Sequence, residues 1–417
     1  MLKQLMITKR FLFCNSLVSP APFTFGNMSS GPANIVWIAQ WYPHEGEPYA
    51  GDFIQRHAQA VAALMPITVY SCFGYDGEEK TDVQVTGNLT EVITYFKDFK
   101  TGISIADKAI YWNRWYRILK NLLLKHEKER GRPTLLHCHI ILNTGWLGLW
   151  AKRKWGIPFI VTEHWAGYMK GFTNGYDAYN FWSKKKFGEI VKNAALVTGV
   201  SNALINRLRE LEPAGNFVRL PNVVNEKIFY YKPLAGENSR PVFIHISTLT
   251  WQKNPAGIIE AVNIVKQSRP DVLLKIAGPV NVHFSSLIAK FGLEDNIEWI
   301  GEMPQEELVG HIRNSLALIL FSQFESFGCV VIEANAAGVP AIVSNIEPLK
   351  ELIVNGVNGL IVKEADSDAL AGAMMQLINE EIAFNLPAIS GNTLSQYSYE
   401  VVGQQIAGLY QKVLNSN

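Results

Sequence analysis

Cysteine is scarce in this chain. Four occur in 417 residues, Cys14, Cys72, Cys138 and Cys329, and no two are close in sequence. That excludes a CxxC redox pair and zinc-ribbon spacing, and a chain this long needs no disulfide staples. Free thiols in a reducing cytoplasm are expected. Net charge is also nearly absent: 38 Lys plus Arg face 37 Asp plus Glu, a formal +1. A chain-wide nucleic-acid footprint is excluded, and no nucleic-acid partner is expected. No apolar run approaches the roughly 20 residues that span a bilayer. Gly (32) and Pro (19) stay near average use, so collagen and low-complexity readings fail. No Gly-x-Gly-x-x-Gly follows a strand and no Walker loop occurs, so nicotinamide chemistry and P-loop phosphate binding find no support.

What remains is globular: 48% apolar and 18% charged residues. At about 150 residues per domain, two to three domains are expected. Charge is split between halves, +9 over residues 1–220 and −8 over 221–417, which points to two domains with different partners. The basic excess concentrates in 108–132, where eight Lys and Arg interleave with Tyr111, Trp112, Trp115 and Tyr116. Two readings stay open: a core helix with a solvated basic face, or a helix on an anionic membrane surface. The first 33 residues loosely imitate a signal peptide, broken early by Asn15, Ser16, Pro20 and Pro22. They are read as a disordered or over-extended start, with Met28 as initiator.

From Asn34 onward, short apolar strands alternate with amphipathic helices, the signature of an α/β parallel sheet. Strands are expected at Ile35–Ala39, Ile67–Cys72, Val92–Phe96, Leu135–His139, Phe159–Thr162 and Ala195–Val200. Asp52 is expected to cap the first helix. After a linker the pattern restarts at Val242–Ser247. Asn254 and Pro255 open a helix there, and strands follow at Val272–Ala277, Ile297–Ile300, Leu316–Phe321 and Ala341–Ser344. The expected division is a first doubly wound, Rossmann-like domain over 34–220, a linker over 221–235, a second such domain over 236–397, and a final helix over 398–417 crossing back to the first. Ligands of such sheets bind beyond the carboxyl ends of the strands, so the working site belongs in the cleft between domains.

The stretch Phe324-Glu325-Ser326-Phe327-Gly328-Cys329-Val330-Val331-Ile332-Glu333 carries the strongest signal. A helix starting near Gly328 offers unpaired N–H groups and a positive dipole end to a ligand. Glu325 and Glu333 stand about 12 Å apart at helical rise. That is too far for an acid–base pair across one bond, but it suits hydroxyl-rich groups at the two ends of an extended ligand. Alone, such a pair is more often two unrelated surface carboxylates. A cation at a strand end beside a helix start, as at Lys253, can neutralise a diphosphate. His164 ends a strand, and His137 and His139 share one strand face. Zinc would need more ligands than these spacings supply. Asp366-Ser367-Asp368 opens a helix, and capping explains it.

These segments together resemble the retaining glycosyltransferases of GT-B fold, family 4, from about Asn34 to Tyr410. The resemblance implies two Rossmann-like domains facing a central cleft. It implies transfer of a sugar from a nucleotide-diphosphate sugar to a glycan or lipid-linked acceptor, with retention, no cofactor and no metal. In that family the residue matching Glu325 contacts donor-sugar hydroxyls, and that matching Glu333 binds the ribose. Amides at Phe327 and Gly328, flanked by Ser326 and Cys329, hold the sugar and phosphate region. Lys253 matches the lysine that clamps the leaving diphosphate, while Thr248 stands where an arginine is usual. His164 matches a cleft histidine near the reacting sugar. Gly51 matches a glycine loop facing the donor phosphates, with Asp52 and Phe53 on the acceptor side; His139 is read as a cleft residue on that side or as a structural one. Ser201 and Asn222 match family positions whose expected role is to shape loops, with a donor contact as the alternative. Catalytic roles therefore fall to His164, Glu325 and Lys253. The expected setting is cytoplasmic, peripheral at the inner membrane face, in cell-surface polysaccharide or glycolipid synthesis. Rival readings are an epimerase or hydrolase on the same fold, or a nucleotide-sugar-binding protein without turnover.

Overall fold

The computed structural model describes residues 33–98, 101–233, 240–280 and 282–416. The reading of residues 1–33 as a disordered or over-extended start lies outside the described residues but for Ala33, as do 234 and 235 of the expected linker.

Two sheets organise the chain. The first contains β1 (Ile35–Ala39), β2 (Ile67–Tyr75), β3 (Lys80–Thr86), β4 (Leu89–Lys97), β5 (Leu135–His139), β6 (Phe159–Glu163), β7 (Leu196–Gly199) and β8 (Phe217–Arg219). Their order is β3-β4-β2-β1-β5-β6-β7-β8, parallel except for β3 against β4. Its helices are α1 (Asp52–Ala62), α2 (Ser104–Arg130), α3 (Ile141–Trp155), α4 (Phe181–Asn193) and α5 (Asn202–Leu211). The second sheet contains β9 (Val242–Ile246), β10 (Leu273–Ala277), β11 (Ile297–Gly301), β12 (Ala317–Leu320), β13 (Ala341–Ser344) and β14 (Gly359–Val362), in the order β11-β10-β9-β12-β13-β14. Its helices are α6 (Pro255–Lys266), α7 (Val282–Phe291), α8 (Gln305–Arg313), α9 (Cys329–Ala336), α10 (Glu347–Lys350), α11 (Ser367–Ile378), α12 (Leu386–Tyr397) and α13 (Tyr399–Asn415).

Both sheets are doubly wound, and each reverses its strand order once next to its first strand: β1 lies between β2 and β5, and β9 between β10 and β12. Crevices open at such reversals, outside the carboxyl ends of the strands. Helices cover both faces, so β1 and β5 read as unbroken buried runs.

Local chemistry sets the helix starts. Asn254, at φ 48°, caps α6 through Gly257 N, and Pro255 follows in the first turn. Asp366 Oδ1 accepts from Ala369 N at 3.0 Å, so Asp366-Ser367-Asp368 is a capped helix start. One expectation needs correction. Asp52 does not cap α1; Gly51 takes the cap position at φ 65°, and Asp52 is the first helical residue. A Cβ at residue 51 would sit 2.4 Å from the Trp41 carbonyl carbon, so glycine is required there.

Elements without an apolar stripe escape the sequence pattern. Strand β3 is wholly exposed. Helix α12 buries only Ile389, Ser390, Thr393 and Tyr397; its signal was Asn385 before Pro387, a cap and first-turn pair. Strands β8 and β14 and helices α7 and α8 also went unread.

The chain crosses between the lobes twice, and the crossings bind each other. Val224 N donates to Tyr397 O at 2.8 Å, and Tyr399 N donates to Glu226 Oε2 at 2.9 Å. Past the second crossing, α13 packs on α1, with Gly403 against the Ala60 backbone. Tyr410 Oη lies 2.7 Å from His137 Nδ1 beneath the first sheet.

Candidate active site

The carboxyl ends of the two sheets face each other across a cavity of about 450 Å³. Phe53, Arg56, His164 and Asn222 line it from one side. Thr248, Lys253, Glu325 to Cys329 and Glu333 line it from the other.

Strand β12 runs out through Phe321 into the loop that bears Glu325, and α9 starts at Cys329. Gly328 sits before it at φ 107°, with no side chain capping the helix. A Cβ there would press to 2.9 Å from Leu349 Cδ2. The glycine thus lets the loop turn tightly and leaves the first N–H groups of α9 to a ligand. Glu325, 7% exposed, accepts from Lys253 Nζ at 2.5 Å and from Ser322 Oγ at 2.8 Å, both on Oε1. Lys253 closes a single 3-10 turn ahead of Asn254. Both sequence-flagged groups therefore meet in one ion pair beside the start of α9. Thr248 lies on the cavity wall and is exposed.

Glu333, 3% exposed, faces the first lobe: its Oε1 accepts from Arg56 Nη1 at 2.5 Å. Arg56 Nη2 also lies 3.0 Å from Asp52. Burial holds the Glu333 carboxyl above its ordinary value, with Arg56 offsetting part of the rise. Burial also pushes the Cys329 thiol up to about 12, so it is no nucleophile here.

His164 directly follows β6, with its ring 4.9 Å from that of Phe53. Its Nε2 lies 3.1 Å from His139 Nδ1. Burial, then the neighbouring His57 and His137, holds it well below the ordinary imidazole value, so it stands neutral. Asn222 approaches it without a hydrogen bond of ordinary geometry.

The sequence of residues 229–399 matches the family described as glycosyl transferases group 1, and residues 51–227 match glycosyltransferase family 4. The chain belongs to the group 1, family 4 glycosyltransferases. Among relatives of this glycosyltransferase is the N-acetyl-alpha-D-glucosaminyl L-malate synthase of Bacillus anthracis. It is 26% identical over 306 residues, 69% of this chain and 77% of that protein. The solved sucrose-phosphate synthase of Thermosynechococcus elongatus superposes with a TM-score of 0.73 at 18% identity, over 92% of this chain and 100% of that one. Anabaena HepE, solved with UDP and glucose, gives 0.68 at 16% identity over 91% and 99%. These likenesses establish the GT-B fold. The chain is thus a glycosyltransferase of the kind that uses sugar-nucleotide donors.

Two expected site residues of this glycosyltransferase do not line its cavity. Gly51 packs against the Trp41 backbone, where its φ shapes the loop. His139 is fully buried, because β5 is covered on both faces. Its ring stacks on His137 and tilts against Trp37, and it supports His164 from behind. Asp52 and Phe53 do reach the wall. Ser201 caps α5 through Leu204 N at 3.1 Å.

Three contributors went unread in the sequence. Arg56 is the first; its spacing of four from Asp52 on one helix was its only local signal. Glu163 is the second: its buried carboxyl accepts from the backbone N–H groups of Ile141, His164 and Trp165 at 2.8–2.9 Å. It thereby fixes the start of α3 and the His164 loop together. The third is an aromatic trio spanning the cleft, Phe172 with Trp251 and Phe324, ring centroids 5.4–5.6 Å apart.

Proposed function

We propose that this glycosyltransferase moves a hexose from a nucleoside-diphosphate sugar to a glycan or lipid-linked acceptor, with retention and without a metal. The observation that carries this reading is the ion pair Lys253–Glu325 set beside the uncapped start of α9. Glu325 would meet the sugar hydroxyls, and Glu333 the ribose. As the sugar leaves and gains cationic character, the N–H groups of α9 and Lys253 Nζ would take the growing charge of the diphosphate. Neutral His164 would hold a sugar hydroxyl rather than move a proton. Thr248, in place of an arginine, would give a hydroxyl contact only. Uridine donors come first in the test, because HepE was solved with UDP.

The test is a panel of nucleotide sugars scored by thermal shift, followed by product analysis with and without a glycan acceptor. One donor should stabilise the wild type, Glu333→Ala should lose most of that shift, and product should form only with acceptor, with the anomeric configuration kept in its NMR spectrum. Donor consumption without acceptor at the same rate would indicate a hydrolase or epimerase instead. An intact donor under all conditions would indicate a binder.

We also propose peripheral contact with an anionic membrane, in cell-surface polysaccharide or glycolipid synthesis at the cytoplasmic face. No helix among the described residues is long and apolar enough to cross a membrane. Helix α2 turns Trp115, Leu119 and Leu123 into the core and packs Tyr111, Trp112 and Tyr116 against it. Its outward side is basic, with Lys108, Arg117, Lys120 and Lys125 exposed. Helix α4 lies against it through Lys186 and Tyr116 and starts with Phe181 and Trp182, 70% and 71% exposed, ahead of Lys184 and Lys185. Exposed aromatics beside lysines favour an anionic interface. The double variant Phe181→Ala/Trp182→Ala should bind vesicles rich in anionic lipid about tenfold less than wild type in co-sedimentation. Equal binding, or indifference to anionic lipid content, would remove this part of the reading.

A further inference from the structure

The carboxylate at the inner end of the site takes its cation from the opposite lobe. Glu333 lies on α9 in the second lobe and Arg56 on α1 in the first, 277 residues apart. Both are nearly sealed from solvent, and both line the cavity. Arg56 engages only Oε1 of Glu333, so Oε2 is the oxygen that a ligand hydroxyl would reach. Asp52 steadies the guanidinium from one turn earlier on α1.

The charges around Glu333 are few. Asp52 and Arg56 face it from α1, Tyr399 from the start of α13, and Cys329 from its own helix. Strands β12 and β13 carry no titratable residue. On α8, Glu306 and Glu307 are exposed, His311 faces Lys275, and Arg313 is spent on the carbonyls of Ile228 and Tyr230. Tyr397 of α12 lies against Phe327. Arg56 is the cation that faces this carboxylate among the described residues.

We propose that Arg56 is a positioning residue of the donor site: reaching across the cleft, it keeps Glu333 ionised and turned so that its free oxygen can accept a ribose hydroxyl. The proposal rests on the reading of Glu333 as the ribose carboxylate. An ionised carboxyl is acceptor-only, whereas a protonated one gives up part of that capacity. A buried carboxyl without its cation takes up a proton instead of paying for desolvation. Nucleotide affinity then depends on the lobes being in contact, because the residue that readies one lobe's carboxylate belongs to the other.

UDP is the probe, with GDP and ADP alongside, and its affinity for the full chain is measured by calorimetry from pH 6 to 9. Apart from the change near pH 6 that the terminal phosphate of UDP contributes in every variant, wild-type affinity should be flat over that range. Arg56→Gln should bind about tenfold more weakly near pH 6.5 and recover toward pH 9, as Glu333 loses its proton without help. Arg56→Lys should restore much of the flat profile, which guards against a variant that merely fails to fold. Glu333→Gln should be weak at every pH. An Arg56→Gln profile that is flat, whether weak or as tight as wild type, overturns the proposal while leaving the ribose reading in place. Wild-type affinity retained in Glu333→Gln overturns the ribose reading itself.

Discussion

Lys253→Ala is expected to lower turnover by about 10²–10³-fold, the usual effect of removing one preorganised group that meets charge developing in a transition state. Donor affinity should fall much less, since the diphosphate keeps the N–H groups of α9. The loss belongs in kcat because the leaving group gains its charge as the sugar departs. Lys253 sits 2.5 Å from Glu325, so its removal has a second effect. Glu325 would keep only Ser322 as a partner while nearly buried. Breaking a buried pair from one side costs about 3–5 kcal/mol; the partial exposure of Lys253 places this one toward the low end. Glu325→Gln on its own should also lose turnover, because an amide cannot match the carboxylate's acceptance of sugar hydroxyls. The double variant Lys253→Ala/Glu325→Gln should regain thermal stability but not activity. Steady-state kinetics with thermal unfolding of the same samples separates the two effects. Turnover within about threefold of wild type in Lys253→Ala would take the diphosphate role away from this residue.

Acid should unfold the protein before most of its carboxylates have titrated. Six buried histidines, His57, His126, His137, His139, His164 and His245, are held below their ordinary value, chiefly by burial. His57, His126 and His245 fall to about 4 and His137 to about 3. In the unfolded chain each takes up a proton near pH 6.5. Between 6.5 and the folded values the unfolded state binds more protons, so stability falls as pH falls. Each group removes up to about 1.4 kcal/mol per pH unit over that window. Above pH 6.5 their contribution is complete. Two buried carboxyls act in the opposite sense: burial raises both, Glu163 to about 7, so as the pH falls toward the carboxylate range Glu163 and then Glu333 take up protons in the folded state before the unfolded chain does and offset part of the loss. Four uncompensated groups set against a stability of about 5–15 kcal/mol place the acid midpoint between about pH 4 and 5.5. Circular dichroism and tryptophan fluorescence against pH measure it. Native signals persisting at pH 3.5 would contradict the account.

The fold was legible where burial is periodic. Strands covered on both faces, such as Ile35–Ala39 and Leu135–His139, stood out as apolar runs. Helix starts with Asn254-Pro255 or Asp366 announced themselves through capping. The start of α9 was readable because Gly328 and the two glutamates lie within nine residues of each other. Partners far apart in the chain were not readable. Arg56 meets Glu333 only because two separate sheets bring α1 and α9 together. His139 shares its strand face with His137, as the spacing predicts. Whether that face meets the cavity or the packed layer depends on α1 and α13, whose placement no local pattern encodes. Helix α12 was hidden because its contacts use Ser390 and Thr393, whose hydroxyls bond to Ala336 O and Ile389 O rather than packing as an apolar stripe.

The return of the chain at residues 397–399 has a consequence for dissection by gene fragments. Val402, Ile406 and Tyr410 of α13 are fully buried with Ile54, Ala58 and Val61. A polypeptide stopped near residue 220 would leave those apolar surfaces bare and His137 without the Tyr410 hydroxyl. One begun near 236 would carry an orphaned, sticky α13. Neither half is then a self-sufficient folding unit, because α13 completes a layer that β1 and α1 begin.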